Sequence, residues 1–77
     1  MDNELKLISY LLDEVKEEIA LIEEYENTMR EAVERAKEEA RPMYYYIRWD
    51  KKSPSKAKIK DDLKMIRRLT LKIEKEL

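Results

Sequence analysis

The chain has 77 residues, 45% of them charged, with 17 Lys and Arg set against 18 Asp and Glu, and it contains no His, Cys or Gly. That composition leaves room for one small domain, removes disulfides and the usual zinc ligands, and disfavours hairpin-rich β folds, whose tight turns need residues at positive φ. The near-neutral net charge of −1 hides a polarity along the chain: residues 1–40 hold 13 acidic and five basic residues, residues 41–77 hold 12 basic and five acidic.

Lys and Glu enrichment with no Gln matches the profile of thermophile proteins. No apolar run is long enough for a membrane span or a signal-peptide core, so a soluble cytoplasmic protein with no membrane partner is expected. No residue pattern calls for a cofactor or a metal. Ser9, Ser53 and Ser55 have no His or Cys to activate them, and there is no Gly-rich phosphate loop. The expectation is a chain that is not an enzyme.

Residues 3–40 predict one long acidic helix, with Asp2 or Asn3 as its cap and Glu4 in the first turn. Apolar residues recur every three or four positions. Leu5, Leu12, Ile19, Glu26, Val33 and Ala40 share one heptad position; Ile8, Val15, Ile22, Met29, Ala36 and Met43 share the other. Glu26 interrupts this seam. Either it lies at a solvated edge while Tyr25 covers its place, or it sets the register against a basic side chain. A helix of about 38 residues is roughly 57 Å long, too long for a lone compact domain, so a partner is expected to cover part of it.

Residues 41–53, RPMYYYIRWDKKS, form a connector rich in aromatic and basic residues. Arg41 precedes a proline and is biased away from helix. Met43 to Trp49 reads either as a short β-strand or as a helical turn. Two readings of the aromatics stand side by side. They fold over the Ala-rich end of the acidic helix, or Tyr44, Tyr46, Arg48 and Trp49 join Lys51, Lys52, Lys56, Lys58 and Lys60 in a surface for nucleic acid or a protein partner.

Residues 54–77 predict a basic helix opened by Ser53 and Pro54, with Ile59, Leu63, Ile66, Leu69, Ile73 and Leu77 on one face. The expected fold is therefore mainly all-α: a single domain over 1–77, built as a long antiparallel helical hairpin with coiled-coil character and an aromatic connector. If the basic helix folds back directly from the joint, it covers Met29 to Ala40 and part of Ile19 to Tyr25, and leaves the end from Leu5 to Val15 bare. Leu5, Ile8, Leu11, Leu12 and Val15 are then the expected partner or dimer interface.

Size, composition, charge and the helix–linker–helix plan, taken over the whole chain, resemble small accessory proteins of archaeal information processing. Among these are the small subunits that accompany a crenarchaeal B-family replicative DNA polymerase. No motif carries the resemblance, and no site residue is transferred through it. It implies a role in binding a polymerase or another replication protein and adjusting its grip on DNA. The expected function is a non-enzymatic protein–protein interaction module of a nucleic-acid-processing complex. The alternatives are direct nucleic-acid binding through the 41–68 face, or a purely structural homo-oligomeric coiled coil.

Overall fold

A computed structural model describes all residues 1–77. Helix α1 spans Asp2–Glu39, a 3-10 turn spans Met43–Tyr45, and helix α2 spans Lys56–Glu76; there is no strand. The two long helices form an antiparallel hairpin, tied by Lys72 to Glu4 and by Lys58 to Glu14. The strand reading of 43–49 is thus replaced by a single tight turn followed by irregular chain. The capping expectation at the start also shifts, because the helix already includes Asp2 and Asn3 and the Leu5 amide bonds to the Met1 carbonyl.

The chain divides into two compact units, residues 1–19 with 55–77, and residues 20–54. In the first, α2 lies along the first half of α1. This corrects the expected coverage, since the basic helix does not return over Met29 to Ala40. The reason lies in the second unit, where the connector itself occupies the other half of α1. Tyr46 reaches Glu39, Trp49 packs on Tyr25, and Lys51 pairs with Glu24. Between Tyr46 and Lys51 the extended chain advances about 17 Å while its partners recede along about 22 Å of helix, and the long side chains close the difference. Ala32 is only 1% exposed, the deepest side chain of the protein. The Ala-rich half of α1 shares its compact unit with the connector and not with α2.

The inward stripe of α1 runs through Glu4, Ile8, Leu11, Val15 and Glu18, then Ile22, Tyr25, Met29, Ala32 and Ala36, alternating steps of four and three. The position expected at Ile8, Val15, Ile22, Met29 and Ala36 is observed. The one expected at Leu5, Leu12, Ile19, Glu26 and Val33 is rotated by one residue, to Glu4, Leu11, Glu18, Tyr25 and Ala32. Glu26 accordingly lies exposed beside the half-buried Tyr25 and does not interrupt the seam.

Helix α1 stops through a Schellman-type turn. The Arg41 amide bonds to the Ala36 carbonyl at 3.1 Å, and Ala40 sits in the left-handed region at φ 52°. In a chain without glycine this conformation falls to a residue that adopts it at a cost. Ala40→Gly should therefore stabilise the protein by about 1 kcal/mol, read as an upward shift in the urea midpoint with unchanged m. Helix α2 begins one cap later than expected, at Ser55 and not Ser53. The Ser55 hydroxyl accepts the Lys58 amide at 3.1 Å, and the Ser55 amide donates to Glu18 Oε1 at 2.7 Å. Ser53 has no comparable partner in α1, which decides between two otherwise equivalent serines.

Candidate functional site

The inner face of the first unit is small and partly ionic. Only Leu11 and Val15 are buried apolar side chains there, at 9% and 8% exposure. Beside them Glu18, at 3% exposure, is a buried carboxylate. It accepts the Ser55 amide at the N-terminus of α2, where the helix dipole favours negative charge, and its other oxygen lies 4.0 Å from the Lys58 ammonium. Lys58 is held at 2.8 Å by Glu14, and that hydrogen bond is the main reason its pKa is raised. Two heptads away, Lys72 contacts Glu4 at 2.9 Å.

Lys72 is also the leading cause that holds the Glu4 carboxyl at about 2, and Glu4 in turn raises the pKa of Lys72. A depressed carboxylate contributes stability that is present above its ordinary value of 4.5 and lost as pH falls through about 2. The melting temperatures of wild type and Glu4→Gln should therefore differ at pH 6 and converge toward pH 2. A gap that stays constant over that range would rule out this pairing.

The apolar spacing does not mark Glu4 and Glu18 as seam residues, because hydrophobicity alone puts the seam one residue off. A signal was there, since Glu4 and Glu18 are spaced two heptads apart and so are Lys58 and Lys72. Of the five residues expected at a partner interface, Leu11 and Val15 are buried inside the hairpin and Ile8 is half-buried, so these three face α2. Leu5 and Leu12 remain open at 51% and 43% exposure, joined by Ile19 at 44% and, from α2, by Leu63 at 47%. The expected interface is thereby halved and moved to one flank of the hairpin.

The candidate contacts for nucleic acid or a partner separate in the same way. Lys51 is held by both carboxylate oxygens of Glu24, at 2.7 and 2.8 Å, and Lys58 by Glu14. Lys52 is exposed, and its carbonyl accepts the Trp49 indole N–H. Trp49 meets Tyr25 edge to face at 5.1 Å, so this ring packs on α1 but N-terminal to the Ala-rich end expected for it. Tyr46 donates to Glu39, which raises its pKa, and the Arg35 guanidinium lies 4.9 Å from its ring centre. Tyr44 and Tyr45 are exposed and stack on each other at 4.8 Å. Arg48 is exposed and donates to the carbonyls of Tyr45 and Ile47.

Lys56 and Lys60 belong to the first unit and lie on the outer face of α2 with Lys64, Arg67, Arg68 and Lys75. Three cations, Lys51, Lys58 and Lys72, pair with acids of α1. The six on the outer face do not. No group of acidic side chains is arranged to hold a metal, and no helix is long and apolar enough to cross a membrane. No family model, curated protein or solved structure matches the chain.

Proposed function

We propose that the protein is a non-enzymatic interaction module, an accessory subunit or adaptor of a nucleic-acid-processing assembly, and that it engages a protein through the apolar flank of its first unit. The observation that carries this reading is the open row Leu5, Leu12 and Ile19 beside Leu63. These large side chains are left over by a hairpin that buries few of its own. An exposed apolar row, with Lys16 at its edge, is the kind of surface a protein partner covers. A photo-crosslinking residue at position 12, in cells that express the chain, is expected to give a polypeptide adduct. No adduct from a folded, expressed protein would refute the reading.

A second reading, direct nucleic-acid binding, is favoured by the six outward cations of α2. It predicts binding to a single-stranded oligonucleotide that weakens with salt, each phosphate contact adding about 0.7 to the logarithmic slope. Substituting Lys64 and Arg67 by Glu, on a face that touches nothing in the hairpin, should flatten that slope. No binding at low salt would end it.

A further inference from the structure

We infer that the occupant of the apolar flank is a second copy of this chain, giving a dimeric four-helix bundle; this rests on the interaction-module reading and names its partner. The register of Glu14 with Lys58 and of Glu4 with Lys72 puts Leu63 level with Leu12, and Thr70 level with Leu5. The same contacts put Glu14 and Lys58 on one side of the hairpin. Leu5, Leu12, Ile19, Leu63 and Thr70 therefore share the opposite side. The five side chains themselves carry no charge, and the Thr70 hydroxyl donates to the Arg67 carbonyl at 2.8 Å. Lys16 and Arg67, each within a turn of two members of the row, are exposed at its edge, where long side chains keep their charged heads in water.

Area points the same way. The chain exposes 6306 Å², against about 5,000 Å² for a compact monomer of its mass, an excess of about 1,300 Å². A standard interface covers about 800 Å² on each partner, so a second copy fits within this excess. The two helices of the flank are oppositely charged: residues 2–19 hold six acidic and two basic residues, and residues 56–76 hold eight basic and four acidic.

Two hairpin layers can stack about a twofold axis that sets each α1 against the partner's α2, so that acidic and basic helices alternate around an antiparallel bundle. Lys16 and Lys60, which this stacking brings to one rim, are both exposed and extend into water, where screening makes their repulsion small. Leu12 and Leu63 of both copies form the central layer. Lys64, Arg68 and Lys75, on the far side of α2, stay outside the bundle.

Light scattering of the full chain should give twice the chain mass of 9.4 kDa, with a melting temperature that rises with protein concentration. Leu12→Glu with Leu63→Glu should halve the mass. If that variant is folded and monomeric, or unfolds because the bundle is required for folding, the inference stands, provided the wild type is a dimer with concentration-dependent melting. A monomeric wild type overturns it, as does a folded variant that remains dimeric. The position-12 adduct separates the two levels. A monomer crosslinked to a foreign protein sinks only the second copy, whereas a monomer with no adduct sinks the interaction module as well.

Discussion

Glu18→Ala is expected to be the most damaging single substitution in the hairpin, costing about 2–4 kcal/mol. The carboxylate is buried in the seam between Leu11 and Ile22 on the α1 stripe, and it joins the two helices at the point where α2 starts. Truncation removes the acceptor of the Ser55 amide and leaves that N–H unpaired. It also takes a negative charge from the N-terminus of α2 and opens a gap in the packing. Lys58 keeps Glu14 as its partner, so the loss does not strand the ammonium. Glu18→Gln should fall between wild type and Ala, since the amide oxygen still accepts from Ser55 while the charge is gone. A chain of this size has roughly 4–11 kcal/mol in total, so the Ala variant should lose a large share of it. Urea unfolding followed by circular dichroism measures the order. Equal stability of the three proteins would show that Glu18 does not fix the start of α2.

Asp62→Leu is expected to act in the opposite direction, stabilising the protein by about 1–3 kcal/mol. Asp62 is half-buried on the inner stripe of α2, between Ile59 and Ile66, and its Oδ2 is buried with no hydrogen-bond partner. Every neighbour on that stripe within a turn is apolar apart from Lys58. The Coulomb attraction between Asp62 and Lys58 is the last and smallest cause of the raised Lys58 pKa. Replacing the carboxylate removes a desolvated oxygen and continues the seam with an apolar side chain. The loss is a weak favourable interaction with the N-terminal dipole of α2, worth a few tenths of a kcal/mol. A melting temperature that falls or stays level would mean that the oxygen is hydrated in solution and the seam open there. Glu18 and Asp62 both carry a carboxylate into the seam, and they take opposite signs because only Glu18 has its hydrogen bond.

Much of the fold could be read from residue spacing. The long acidic helix ends at Glu39 because Arg41 precedes Pro42, and the apolar repeat Ile8, Val15, Ile22, Met29, Ala36 faces inward as the heptad pattern requires. The other half of the seam was not legible from hydrophobicity. Leu5, Leu12 and Ile19 are more apolar than Glu4, Leu11 and Glu18 as a set, yet the latter face α2 because Lys58, Lys72 and the Ser55 amide satisfy the two carboxylates. A pattern that scores apolar residues alone turns the helix by one position. Pairing charges across the two helices at equal spacing turns it back.

The path of the connector was illegible for a different reason. Its aromatic and basic residues suit a strand, a helical turn or an exposed surface equally well. The choice is made by contacts distant in sequence, Trp49 on Tyr25 and Lys51 on Glu24. The connector packs on the second half of α1, and α2 packs on the first. The surface left for a partner is then a flank of the hairpin, no longer its bare end. Tyr44 and Tyr45 remain outward because the 3-10 turn at Met43–Tyr45 lies at the tip of the return.

Which half of α1 the basic helix covers is tested directly by a spin label. The chain has no cysteine, so Lys75→Cys gives a single attachment site on the outer face of α2. A nitroxide there should broaden the amide resonances of the first heptad of α1, around Glu4 to Ile8, and leave those of Glu18 and Ile19 sharp. Broadening centred on Ile19 to Tyr25, with the first heptad unaffected, would place α2 directly behind the joint and contradict the hairpin described above.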